Sequence, residues 1–293
     1  MFSGSLVAIV TPMRADGAVD LDAWARLIEF HAAHGTSGIV VGGTTGESAT
    51  LNEGELRELT VRACELARAR MAVIAGAGTS STAGTVARVS WLSGLPIDGL
   101  LLVTPAYNRP SQEGLFQHFS AAAQAAAGKP VLLYNVPART AVDMKPATVA
   151  RLSHLGGIVG LKEAVPDAAR VRELLGLCAP HFTILSGDDA TAREAIFAGA
   201  RGVISVTANV APRQMSEMVA AARAGERERS QVIDKALAAL HRDLFLEANP
   251  IPVKWLAAQM GLIPSGIRLP LTPLAEEYRA TVLAAARVAG ILG

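Results

Sequence analysis

The sequence predicts an α/β fold, a (β/α)8 TIM barrel followed by a C-terminal helical extension of about three helices. Three observations predict it. Short, nearly all-apolar runs rich in β-branched residues alternate with longer amphipathic, alanine-rich stretches; the alternation repeats eight times, with no linker, to about residue 225; and the remainder is helical but broken by prolines. A doubly wound sheet usually stops at about five or six strands, so eight βα units favour closure into a barrel. The strand candidates are Leu6–Thr11, Gly38–Gly42, Ala72–Ala75, Gly99–Thr104, Val131–Val136, Ile158–Glu163, Thr183–Gly187 and Gly202–Thr207. Between them the helices have readable starts. Asp20 precedes the first, Asn52 with Glu55 three residues on makes a capping-box pattern for the second, and Ser111 after Pro110 opens the fourth. Two units are expected: residues 1–225 as the barrel that carries the chemistry, and residues 226–293 as the extension. The latter is interrupted by the run Asn249-Pro250-Ile251-Pro252 and by Pro264, Pro270 and Pro273. Such an extension can shield an end of the barrel or form a subunit contact.

Composition narrows the function. A chain of 293 residues that is 51% hydrophobic and 18% charged has enough apolar side chains for a core that needs neither disulfides nor a structural metal. Cys64 and Cys178 lie far apart with no CxxC spacing, and each reads as a small core residue. Lys+Arg 27 against Asp+Glu 26 leaves a formal charge of +1 and no basic stripe, which argues against nucleic acid or a membrane surface as partner. No apolar run approaches the ~20 residues that span a bilayer. The start, MFSGSLVAIVTPMR, lacks a basic leader and a small-residue cleavage site, so the cytoplasm is the expected compartment.

In a barrel of this kind the active site lies where the strands run into their following loops. Lys162 is the most informative residue there: it interrupts an apolar strand at its functional end, and alternation turns it to the opposite face from Leu161 and Glu163. A lysine facing the lumen must lose its charge, find a carboxylate, or work as an amine. At an unperturbed pKa of about 10.4 only about one amine in 2,500 is neutral at pH 7, so desolvation raises the concentration of nucleophile. That is Schiff-base chemistry. The competing reading has Lys162 pointing outward or snorkelling at the strand end. Tyr134 can exchange a proton with a carbinolamine on the neighbouring amine, or can be a rim aromatic with a satisfied hydroxyl. Thr44 and Thr45 offer hydroxyls and approachable N–H groups to a small carboxylate, although a plain strand-to-helix turn also explains the glycines around them. Arg139 can hold a second carboxylate bidentately, or be an exposed loop arginine.

Metal and dinucleotide chemistry find less support. His31, His34, His118, His154 and His241 fall in or at the ends of predicted helices and His181 precedes the seventh strand, so none stands at a C-terminal strand end. Asp188 and Asp189 form a possible Mg²⁺ pair, but Asp189 reads more readily as the N-cap of the next helix. The stretch GAGTSS at 76–81 lacks the third glycine and acidic partner of a dinucleotide fingerprint. No metal site is expected.

These residues stand in long motifs in a familiar order: FSGSLVAIVTPM, GTTGESATL, VTPAYNRPSQEGL, YNVPART, GLKEA, LSGDDA, GVISVTANVAP, NPIPVKW and RLPLTP. Over nearly its whole length the sequence resembles the dihydrodipicolinate synthase family, pyruvate-dependent lyases and aldolases that include N-acetylneuraminate lyase. The resemblance implies that Lys162 forms a Schiff base with pyruvate, with no external cofactor, and that Tyr134, Thr45 and Tyr107 form a proton relay. It implies that Tyr107 reaches into the site of a neighbouring subunit, within a homotetramer built as a dimer of dimers. Thr44, Thr45 and Asn249 match positions around the pyruvate site or its support, and Gly187 and Ile204 line it through their backbone. Arg139 matches the position that binds the carboxylate of L-aspartate 4-semialdehyde, and its presence argues against the sialic-acid lyase branch. The activity implied is the condensation of pyruvate with that aldehyde in lysine and diaminopimelate synthesis.

One departure from the family matters. Lysine-inhibited members resemble this chain at Ser48 and Ala49, but carry histidine, asparagine, glutamate and tyrosine where it has Glu53, Ser80, Gly84 and Ala106. Loss of the glutamate removes a counter-charge for the effector ammonium, and loss of the tyrosine removes an aromatic wall and empties a dimer contact. Weak or absent inhibition by L-lysine is therefore expected. Two alternatives stand beside the leading one: a sister enzyme using the same lysine and tyrosine on another aldehyde or 2-oxo acid, and a catalytically silent barrel that binds a small carboxylate.

Overall fold

Eight parallel strands hydrogen-bond in sequence order and close on themselves, β1 pairing with both β2 and β8. The computed structural model describes residues 2–292; Met1 and Gly293, the outer ends of the two expected units, lie outside the described residues. The strands are β1 Gly4–Ala8, β2 Gly38–Val41, β3 Ala72–Gly76, β4 Gly99–Val103, β5 Val131–Asn135, β6 Ile158–Glu163, β7 Thr183–Ser186 and β8 Gly202–Ser205. The helices that cover them are α1 Leu21–Ala33, α2 Glu53–Ala67, α3 Thr82–Ser93, α4 Gln112–Ala125, the single turn α5 Pro137–Thr140, α6 Pro146–Ser153, α7 Ala168–Leu177, α8 Ala192–Phe197 and α9 Pro212–Arg223. Three more follow, α10 Arg227–Asp243, α11 Ile251–Gln259 and α12 Glu276–Val288.

Alternation along each strand divides the core in two. Leu6, Val40, Ile74, Leu101, Leu132, Leu185 and Ile204 fill the lumen, while Val7, Ile39, Val73, Leu100, Leu133, Leu161, Ile184 and Val203 face the helices. The same outer layer takes in Leu237, Leu240, Leu244, Val253, Leu256, Val282 and Ala285, so α10 to α12 add to the barrel's own core. The three caps read from sequence all form. Asp20 accepts from the backbone N–H groups of Asp22 and Ala23, Asn52 and Glu55 make the reciprocal capping box, and Ser111 accepts from Gly114 N–H.

Six of the eight predicted strands run past the ladder at their C-terminal ends, β3 instead reaching one residue further than predicted. The physical reason is that burial outlasts backbone pairing there. Val10 is fully buried beyond β1, but its N–H donates to Asn209 Oδ1 at 2.9 Å. Val206 is buried beyond β8, and its N–H donates to Asp189 Oδ2 at 2.8 Å. That bond also corrects the expected role of Asp189. The N-cap position of α8 is Thr191, whose side chain makes no capping bond; its N–H and hydroxyl both donate to Asp188 Oδ1, whereas Asp189 ties the end of β7 to the loop after β8 through Val206 and Thr207 N–H. Cys64 and Cys178 are free and half-buried against the core, and burial pushes the Cys64 thiol up to about 11.

Candidate active site

The C-terminal rim of β5 and β6 brings Lys162 and Tyr134 side by side, because the parallel register pairs those two residues directly. Both point into the lumen. Lys162 is 5% exposed, and its Nζ stands 4.3 Å from the centroid of the Tyr134 ring. Leu161 faces the helices, so the outward reading of Lys162 does not hold. Among the described residues no carboxylate pairs with Lys162. The acid next to it, Glu163, is turned away to the outer face. There it accepts from Asn135 Nδ2 at 3.0 Å, from Val165 N–H at 2.9 Å and from Arg170 Nε at 2.8 Å. Burial pushes the Glu163 carboxyl up, against the pull of Arg170.

Gly187 backs the lysine. A Cβ there would stand 3.0 Å from Lys162 Cε and 2.9 Å from Ala164 Cβ, so the absent side chain is the space that the lysine stem occupies. Ile204 fills the lumen beneath. The loop after β2 supplies Thr45, which is buried, and Thr44, which is half-buried and lines a cavity of about 30 Å³ with Gly42, Gly43, Ser48 and Tyr134. Close packing of that loop on β3 requires glycine at position 76, where a Cβ would meet the Gly42 carbonyl at 2.2 Å.

Asn249, just before α11, donates from Nδ2 to Thr45 Oγ1 at 2.9 Å, and its Oδ1 is buried without a hydrogen-bond partner. Arg139, exposed on α5, donates to the Asn249 carbonyl at 3.2 Å, which places its guanidinium at the mouth of the same cleft. Lys162, Tyr134, Thr45, Asn249, Gly187 and Arg139 thus converge from five separate stretches of chain, Tyr134 and Arg139 sharing one. Tyr107 does not join them. It is 94% exposed, with a left-handed φ of +73°, and within one chain its ring stands in solvent. Asp188 and Asp189 are engaged with Thr191 and with Val206 and Thr207, and so do not face one point as a cation pair.

A larger cavity, about 540 Å³, opens at the opposite end of the barrel among Phe2, Ser37, Asp98 and Val159. The described residues that line it include neither an amine nor a phenol. A second buried lysine escaped the sequence reading. Lys254 on α11 is 3% exposed and forms an ion pair with Glu47, itself 3% exposed in the loop after β2. Both residues stand in the quoted motifs, yet only their spatial meeting distinguishes them from surface charges.

Comparisons with known proteins agree with this fold. A model of the dihydrodipicolinate synthetase family matches residues 1–289. The 4-hydroxy-tetrahydrodipicolinate synthase of Methylococcus capsulatus is 52% identical over 292 residues, covering all of both chains. Among solved structures, the chloride-inhibited dihydrodipicolinate synthase of Acinetobacter baumannii complexed with pyruvate superposes with a TM-score of 0.98 at 46% identity, again over all of both chains. A dihydrodipicolinate synthase from Cyanidioschyzon merolae with lysine bound gives a TM-score of 0.96 at 34% identity over 99% of each chain.

Proposed function

This chain belongs to the dihydrodipicolinate synthetase family of lyases, and on that premise we propose that it condenses pyruvate with L-aspartate 4-semialdehyde through a Schiff base on Lys162. The observation that carries the reading is the buried amine, which faces a phenol instead of a carboxylate. Lys254, equally buried, has the carboxylate that Lys162 lacks. An amine held this way is free to attack a keto carbon.

In this reading Lys162 Nζ attacks the pyruvate carbonyl to give a carbinolamine, and Tyr134 returns a proton to the departing hydroxyl so that water leaves and an imine forms. The imine loses a methyl proton to give an enamine. Its carbon attacks the aldehyde of the second substrate, forming the new C–C bond while the aldehyde oxygen takes up a proton. The substrate amine then displaces Lys162 as the ring closes, and no external cofactor is needed. Thr45, beside Asn249, extends the relay from Tyr134. Tyr107 of a neighbouring subunit completes it, a role that its exposure suits. Thr44 and the backbone of Gly187 and Ile204 hold the pyruvate end, and Arg139 takes the carboxylate of the semialdehyde. The same reading gives a homotetramer, a dimer of dimers, working in the cytoplasm. Among the described residues no helix is long and apolar enough to cross a membrane.

Feedback by L-lysine is weak or absent in this proposal. Glu53, in place of the family's histidine, accepts from Arg88 Nε at 2.9 Å and Trp91 Nε1 at 3.1 Å, so its carboxylate is already engaged. Ala106 offers no aromatic wall.

The test is incubation with pyruvate and borohydride, followed by peptide mapping. The expected result is one reduced adduct, on Lys162 and not on Lys254; an unmodified Lys162 ends the lyase mechanism. Turnover across a panel of aldehydes then identifies the second substrate, and half-maximal inhibition by lysine well above about 1 mM is expected in the same assay.

A further inference from the structure

Two side-chain rungs tie the loop after β2 to the start of α11. One is the bond from Asn249 Nδ2 to Thr45 Oγ1; the other is the ion pair of Lys254 with Glu47. We propose that the Glu47–Lys254 pair is a positioning device for Thr45, fixing the loop so that the Thr45 hydroxyl stays in register with Tyr134 and Lys162. This inference rests on the reading of Thr45 as a member of the proton relay.

The geometry of Glu47 supports it. The residue has a left-handed φ of +58°, a conformation that a non-glycine residue keeps only when its surroundings impose it. Three interactions do so. Its Oε1 accepts from Lys254 Nζ, its Oε2 accepts from Arg268 N–H at 3.2 Å, and its own N–H donates to the Thr44 carbonyl at 3.1 Å. Its carbonyl in turn accepts from Thr50 N–H at 3.0 Å and Leu51 N–H at 3.3 Å. Displacing Glu47 therefore moves both flanks of the loop, with Thr45 only two residues away.

The other end of the rung is equally local. Lys254 N–H donates to the Pro250 carbonyl at 2.9 Å, so Lys254 sits one helical turn from the residue after Asn249. The rungs thus join the same two short segments, 204 and 207 residues apart in sequence. The side chains of the charged pair are 4% and 0% exposed, so water can replace neither partner. The asparagine rung alone is a single neutral hydrogen bond whose Oδ1 has no partner.

A double-mutant cycle on turnover separates a positioning role from a merely structural one. Glu47→Gln is expected to lower kcat by about ten-fold or more while leaving the pyruvate KM within about two-fold, with borohydride still trapping pyruvate on Lys162. In a Thr45→Val background the same substitution should change kcat by less than about two-fold, since the group it positions is already gone. Should Glu47→Gln not fold, the cycle is run with Glu47→Gln/Lys254→Met, which leaves no unpaired buried charge. Unchanged kcat with a lowered melting temperature would make the pair a strut and overturn the inference. So would effects of Glu47→Gln and Thr45→Val that multiply independently, a result that leaves the relay intact. Full turnover by Thr45→Val alone removes the relay reading and this inference together.

Discussion

At the scale of single residues, two lysines buried to the same degree have opposite surroundings, and the contrast separates chemistry from architecture. Lys162 faces a ring, and Lys254 an acid. Lys162 was legible because a charge that interrupts an apolar strand at its C-terminal end has few innocent explanations. Lys254 was not: on a helix a single lysine reads as solvent-facing, and the glutamate that makes its burial tolerable lies 207 residues earlier. Gly187 was legible only through the family resemblance, yet its role has a simple steric basis. A methyl at this position would meet Ala164 Cβ at 2.9 Å and Lys162 Cε and Cγ at 3.0 and 3.1 Å, closer than real Cβ contacts usually come, so Ala164 must shift slightly and the flexible lysine stem must swing aside. Gly187→Ala is accordingly expected to fold with a melting temperature within a few degrees of the parent but to lose about 10²-fold in kcat, the scale set by an ångström of misplacement. Steady-state kinetics beside a thermal melt checks this, and parent-like turnover would show that Lys162 has room to spare.

At the scale of elements, the ends of β5 and β6 carry the chemistry on one face and their anchorage on the other. Tyr134 and Lys162 point inward; the next residues along, Asn135 and Glu163, are also paired in register, and they bond to each other on the outside. Arg170 on α7 closes that anchorage by bridging Glu163 and Asp143. Removing the guanidinium leaves Glu163, 2% exposed, without its counter-charge. Arg170→Ala should therefore destabilise the fold by about 3 kcal/mol, readable from urea unfolding at pH 7. A loss below about 1 kcal/mol would mean that Asn135 and Val165 hold the carboxylate unaided. Strand order and helix starts could be read from sequence because apolar runs and Asx or Ser caps are local signals. Strand ends could not, since Val10 and Val206 stay buried after their N–H groups have passed to Asn209 and Asp189. Asp189 was misread for the same reason: its Oδ2 serves a loop seventeen residues away, not the adjoining helix.

At the scale of the whole molecule, buried titratable groups far from the cleft set the pH range over which the barrel holds together. His31 is fully buried, with Nδ1 against Thr36 Oγ1 at 3.1 Å and Nε2 without a partner, and burial, aided slightly by His34, pushes its pKa down to about 3. Burial lowers His118 in the same direction. A folded-state pKa below the unfolded value means that the unfolded chain binds the proton first. The stability that His31 lends is therefore complete above the unfolded pKa of about 6.5 and drains away as pH falls toward 3, and His118 acts with the same sign. The Cys64 thiol, raised from 9.0 to about 11, has the opposite sign: its contribution is intact below 9 and is lost as pH climbs through 11. Between about 6.5 and 9 neither group titrates in either state, so the contribution of these two groups forms a plateau there. Below that plateau His31 alone contributes a slope of up to about 1.4 kcal/mol per pH unit. The carboxylates lowered by their arginine partners, such as Glu55 beside Arg268, add to the acid slope only below about 4.5, while Glu163, raised by burial, opposes the histidines just above it, so the difference between parent and a His31 variant is what isolates the imidazole. Replacing His31 with glutamine keeps a hydrogen-bonding group for Thr36 and removes the titration. Denaturation midpoints of His31→Gln measured at half-unit steps from pH 7 to 4.5 should fall more gently than those of the parent. Parallel curves for the two proteins would mean that the buried imidazole is not what ties the fold to neutral pH.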